Sequence, residues 1–147
     1  MNLDDLDDLD KLDHRSIAVG DIVAERTFLL TRDSLVRYAG ASGDFNPIHY
    51  RDDVAASVGL PGVLAHGMLT MGVAVQPVVE WLGARGWVND CQVRFTRPVP
   101  VDAVEGATVT VLAKVGVVED GAARIDLTVT YNGDTVLGKA QVRVTAA

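Results

Sequence analysis

The stretch "VLAHGMLTMGVAVQPVVEWLG", Val63 to Gly83, decides the fold, because it is apolar on nearly every side of a helical wheel. A helix with no polar face must be buried on most of its sides. Gly67, Gly72 and Ala74 give it small surfaces for close packing. Its start is expected near Leu64 or His66. Pro77 lacks an N–H and clashes with the preceding turn, so it is expected to kink or end the helix.

Downstream the pattern changes. "WVNDCQVRFTRPV", "ATVTVLAKVGVVED", "ARIDLTVTYN" and "TVLGKAQVRVTA" are rich in Val and Thr and alternate in patches. Separated by "VPVDAVEG", "EDGA" and "NGD", they read as four antiparallel strands. A buried helix followed by long strands implies an α+β architecture, a sheet wrapped round the helix. Upstream, "IAVGDIVAERTFLLT" leads into a strand. Thr31 is placed to cap a helix over "RDSLVRYAGA", with Leu35, Val36 and Tyr38 facing inward and an end near Gly40 to Gly43. In "YRDDVAASVGL", Asp52 or Asp53 is the expected cap of a second, short helix that "GLPG" stops.

Residues 1–14 repeat Leu-Asp-Asp and read as a disordered acidic tail, which leaves 15–147 as one domain. Six aspartates against Lys11 account for −5 of the net charge of −7. No basic stripe remains to neutralise phosphates, so a nucleic-acid partner is not expected. Cys91 stands alone, which excludes an internal disulfide and favours a reducing compartment; it reads as a small buried hydrophobe in a strand. No basic segment precedes an apolar run at the N-terminus, and His66, Gln76 and Glu80 interrupt the longest apolar stretch, so a cytoplasmic chain without a membrane span is expected.

"SGDFNPIH", Ser42 to His49, breaks the apolar chain with Asp44, Asn46 and His49. Pro47 fixes its own φ and pushes Asn46 toward extended geometry, so both ends of the loop can aim at one point. A carboxylate and an imidazole facing one small volume can hold a water and move protons on either side of it. The same residues also suit a plain polar turn that satisfies its own backbone. Asp44 and His49 have few co-ligands nearby, and no metal or cofactor is expected. In "GVLAHGML" the first N–H groups of the long helix would be unpaired, with the positive dipole end behind them. Gly67 then suits either a backbone N–H donor to a carbonyl oxygen or tight helix–sheet packing. Arg94 and Arg97 could bind a phosphate at the mouth of such a site, or lie on the wet face of a strand. Trp81 and Trp87 read as core or interface anchors.

"YAGASGDFNPIHYRDDVAA", Tyr38 to Ala56, resembles the hydratase signature of the MaoC-like family, with Gly43, Asp44, Asn46, Pro47 and His49 at the matching positions. "AHGMLTMG" looks like the start of the central helix of a hot-dog fold, and "VRFTRPVPVDA" is similar to the strand and turn that follow it. The likeness covers residues 16–145 and is nearest the B subunit of mycobacterial-type (3R)-hydroxyacyl-ACP dehydratases.

It implies a single hot-dog domain and a reversible loss of water from a (3R)-hydroxyacyl thioester on ACP or CoA. Asp44 and His49 would be the catalytic pair, Asn46 would position the loop or the water, and the Gly67 N–H would bind the thioester oxygen. Beside what the likeness implies, His66, Met68, Arg94 and Arg97 are the expected substrate contacts. A homodimer, or a heterodimer with another hot-dog subunit, is implied. The alternatives are a stand-alone (R)-specific enoyl-CoA hydratase, a non-catalytic acyl-thioester-binding subunit and a hot-dog thioesterase.

Overall fold

The computed structural model describes residues 17–147. The expected acidic tail lies outside the described residues. In chain order the elements are β1 (Ile22–Leu30), α1 (Arg32–Ser42), a 3-10 turn (Pro47–His49), α2 (Asp52–Ser57), α3 (Gly67–Leu82), a second 3-10 turn (Gly83–Arg85), β2 (Gly86–Phe95), β3 (Ala107–Glu119), β4 (Ala122–Tyr131) and β5 (Asp134–Ala146). The strands form one antiparallel sheet in the order β1-β3-β4-β5-β2, and α3 packs on one face of it.

β3, β4 and β5 are the expected meander. Asn132 and Gly133, at φ 50° and 80°, close the β4–β5 hairpin, since a two-residue turn matched to strand twist needs positive φ at both positions. β2 departs from the meander: it pairs with β5 at the far edge, and residues 96–106 cross back to β3. Alternation makes the core. Val109, Val111, Ala113 and Val115 of β3 are buried while Thr108 and Lys114 face out, and Ile125, Val129 and Val142 complete the layer. Each such Val or Ile contributes roughly 1.5–3 kcal/mol of burial.

Local signals fared unevenly. Thr31 caps α1 in a full capping box with Ser34, and Gly43 ends it in the left-handed conformation. Of the three residues expected inward, Leu35 is buried and Tyr38 half-buried, but Val36 is 62% exposed, because the buried stripe runs through Leu35 and Ala39, one turn apart. Neither aspartate caps α2. Arg51 holds the cap position without a side-chain capping bond, and Asp52 instead pairs with Arg32 at 2.9 Å and accepts from the Val63 N–H. Pro77 does not end α3, which runs on to Leu82 with Pro77 itself buried. Packing of the buried face outweighs one lost backbone bond. The helix is also less enclosed than its composition suggests, for Met68 and Val79 are exposed on its outer side.

Candidate active site

The loop after α1 is built by its own short side chains. Ser42 Oγ accepts from the Asp44 N–H, Asp44 Oδ1 from the Asn46 N–H, and Asn46 Oδ1 from the Ile48 N–H, at 3.1–3.2 Å. Asn46 thereby caps the 3-10 turn, with Pro47 in its first position where no N–H is needed. That turn delivers His49 to the start of α3.

There the chain is doubly braced. The Leu64 N–H donates to the Ile48 carbonyl at 3.1 Å, and the Leu64 carbonyl accepts from His49 Nδ1 at 2.7 Å. A carbonyl only accepts, so Nδ1 carries the proton and Nε2 is the free base. Nε2 faces Asp44 Oδ2 at 3.9 Å, with the His49 side chain 11% and the Asp44 side chain 50% exposed. The gap is too long for a direct hydrogen bond and allows one oxygen to sit about 2.8 Å from both groups.

His49 forms part of the wall of a cavity of about 320 Å³, together with Gly67, Thr70, Phe95, Arg97 and Val99. Gly67 is the first residue of α3, and its N–H takes no partner among the described residues. A Cβ added at Gly67 would lie 2.9 Å from the Phe95 ring, so the missing side chain keeps this corner open. An anionic or carbonyl oxygen here would meet an unpaired N–H and the positive end of α3.

The structure puts His49 and Gly67 on one cavity wall and brings Asp44 up to His49; Asp44 and Asn46 lie outside that wall, with Asn46 bonded to Asp44 and Ile48. His66 lies behind the pair, 1% exposed and outside the cavity wall. Met68 turns outward, 57% exposed. Arg97 reaches the cavity edge, where it pairs with Asp134 at 2.9 Å. Arg94 does not join it. On a strand its side chain leaves from the face opposite Phe95, and it lines a separate hollow of about 530 Å³ on the outer face of the sheet with Arg124, Asp126 and Lys139. That alternation was legible in "VRF". Phe95, Thr70 and the Leu64 carbonyl were missed, since nothing in their local sequence marks them.

Cys91 is half-buried in β2, and burial, with Asp90 adding to it, pushes its thiol above the usual range. The reading as a strand hydrophobe fits it.

Asp44, His49 and His66 place potential ligand atoms within 4.8 Å of one another. The rings of His49 and His66 are stacked at 3.8 Å and 22°. Both Nδ1 of His49 and Nε2 of His66 are already engaged with carbonyls.

Fold and site together define a hot-dog domain that carries an Asp/His pair at the N-terminus of its central helix. The chain belongs to the family of MaoC like domains, whose model matches residues 17–136. It is 35% identical over 78 residues, 52% of its length, to the 3-hydroxyacyl-thioester dehydratase X of Mycobacterium tuberculosis, of which it covers 26%. A solved MaoC-like dehydratase superposes with a TM-score of 0.85 at 34% identity, over 92% of this chain and 42% of that one. The R-hydratase of Pseudomonas aeruginosa, solved without ligand, gives 0.79 at 26%, over 91% of this chain and 84% of that one. The chain spans between 2% and 26% of the length of the curated relatives it matches. No helix of the described residues is long and apolar enough to cross a membrane.

Proposed function

We propose that the chain is a hydro-lyase that interconverts a (3R)-3-hydroxyacyl thioester and the 2-enoyl thioester plus water. One observation carries this reading: the free Nε2 of His49 faces Asp44 Oδ2 across 3.9 Å beside a cavity that also holds the unpaired Gly67 N–H. In dehydration, His49 Nε2 takes the C2 proton, and negative charge develops on the thioester oxygen. Asp44 as the general acid gives a proton to the C3 hydroxyl, the C3–O bond breaks and water leaves, and the proton held by His49 then returns to Asp44 across the 3.9 Å gap. Hydration reverses each step.

Gly67 supplies the donor for the developing charge, worth roughly 3 kcal/mol for one such N–H. The positioned acid and base add about 10²–10⁴ in rate. Asn46 acts by shaping the loop through its cap on Ile48. These residues need no metal or cofactor for the steps described.

The carrier is a phosphopantetheine thioester, ACP or CoA, with Arg97 and not Arg94 near its phosphate. β2 is an edge strand, and Trp87 and Phe95 on it are 54% and 55% exposed. A second hot-dog subunit, identical or not, would pair along this edge, cover those rings and finish the cavity wall that Phe95 begins. With a lone cysteine, the chain suits the cytoplasm.

The test is hydration of crotonyl-CoA and of a longer 2-enoyl-CoA, followed by loss of the conjugated-thioester absorbance. Turnover that collapses in Asp44→Asn and His49→Gln is expected. A folded chain that remains silent with a hot-dog partner and a carrier-protein substrate supplied would rule the reading out.

A further inference from the structure

Among the described residues one buried side-chain polar atom takes no hydrogen bond: Nδ1 of His66. The other ring nitrogen, Nε2, lies 3.1 Å from the backbone carbonyl oxygen of Asp44. That oxygen only accepts, so Nε2 bears the proton and Nδ1 is a bare lone pair. The ring stacks on His49 with centroids 3.8 Å apart and leans on Tyr38 at 4.7 Å and 58°. His66 is also the N-cap of α3, next to Gly67, and its carbonyl accepts from the Thr70 N–H at 3.1 Å.

His66 thus meets three parts of the site. It ties the backbone that carries Asp44, it backs the ring of His49, and its main chain sets where the Gly67 N–H points. We infer that His66 is a positioning residue, an imidazole that holds the acid/base pair in register with the N-terminus of α3. The inference rests on the hydro-lyase reading and adds to it a residue that acts through Asp44 and His49.

Neutrality is built into the surroundings. A second proton would fall on Nδ1, which is buried without an acceptor, and would place a cation against the ring that must itself become cationic when it takes the C2 proton. The titratable groups that face His66 are Asp44 and His49 from the loop and Tyr38 from α1. Burial holds the imidazole below its ordinary range, helped by His49; the Asp44 carbonyl and carboxylate pull the other way and are outweighed. Phenylalanine could supply the stack but not the bond to Asp44, and glutamine the bond but not the stack.

The experiment compares the full chain with His66→Phe and His66→Gln by steady-state hydration of a 2-enoyl-CoA across neutral and acidic pH. His66→Phe should lower kcat by about 10²-fold, the scale of a slightly misplaced reacting group, with little change in KM. His66→Gln should recover part of that loss. The acid limb of kcat in the wild type should be steeper than one proton, since protonating either histidine stops turnover, and should fall to one proton in both variants.

Should His66→Phe fail to fold, His66→Gln carries the same comparison. Nitrogen-15 spectra of the imidazoles give a readout independent of turnover: a protonated Nε2 and bare Nδ1 on His66, and a His49 titration midpoint that moves in the variant. Wild-type kcat and acid limb in a folded variant, or a protonated Nδ1, would overturn the inference. A wild type that hydrates nothing, even with a hot-dog partner and a carrier-protein substrate supplied, would sink the hydro-lyase reading instead. The His49 midpoint would then decide the coupling, an unmoved value ending it.

Discussion

The C-terminal end of α3 is closed. The Gly83 N–H bonds to the Val79 carbonyl, and Arg85 folds back to donate to the carbonyls of Leu82, at 3.2 Å, and Trp81, with its guanidinium 5.5 Å from the Trp81 ring centroid. At the N-terminal end of the same helix no side chain caps the first turn, the Gly67 N–H is left unpaired, and the ring of His66 keeps a bare nitrogen. Helix ends normally satisfy their orphan groups, so this asymmetry leaves the N-terminal end with donors to spare. The C-terminus shows how the fold finishes a helix when nothing else needs the backbone.

The comparison breaks first at the acid and base. His49→Gln and Asp44→Asn should each cost about 10²–10⁴ in kcat/KM while melting close to the wild type, because an amide oxygen at position 44 can still accept from the Asn46 N–H and the Leu64 N–H keeps its bond to the Ile48 carbonyl. A variant with unimpaired turnover would remove its residue from the mechanism.

Crowding the open end comes next. Gly67→Ala puts a methyl group 2.9 Å from a ring carbon of Phe95, which is 55% exposed and able to shift. A loss of about 10²-fold in kcat is expected. The change in stability should stay within about 1 kcal/mol, since alanine favours a helix where glycine does not. A large fall in Tm with activity intact would make Gly67 a packing glycine and nothing more.

Opening the closed end should give the reverse pattern. Arg85→Ala removes the carbonyl bonds and the ring contact, and should lower stability by about 1 kcal/mol with kcat/KM unchanged, measured by denaturant unfolding and steady-state rates. Loss of turnover without loss of stability would mean that the two ends do not divide their tasks in this way.

The smallest effect concerns pH. His66 titrates below its ordinary 6.5 in the folded chain. Between the lowered value and 6.5 the unfolded chain binds a proton that the folded one refuses, so stability rises with pH through that window. It is fully present above 6.5 and is lost as pH falls through it. Denaturation midpoints should therefore drop more steeply on acidification in the wild type than in His66→Phe; parallel curves would count against the buried neutral ring.

Much of the site was legible because its information is local. The Asp44-x-Asn46-Pro47-x-His49 spacing encodes a chain of side-chain-to-backbone bonds that span two residues each. Thr31 and Gly43 mark the ends of α1, and Asn132-Gly133 fixes a hairpin, through torsions that those residues favour on their own. Strand period even separates Arg94 from Phe95, although the affinity of a guanidinium for phosphate drew both arginines toward the substrate.

What the sequence determined by itself was therefore the inventory: a buried helix, long strands, and a polar loop carrying a carboxylate and an imidazole. Tertiary structure decided the rest. The tautomer of His49 is set by a carbonyl fifteen positions away, at Leu64. The burial of His66 depends on α1, the loop and α3 meeting around one ring. β2 lies at the far edge of the sheet, and Pro77 is tolerated inside a helix, because packing outweighs local preference in both. Torsional and capping preferences act within about one turn of chain. Which partner completes a buried polar group depends on which surfaces hydrophobic packing brings together, and no short stretch of residues encodes that.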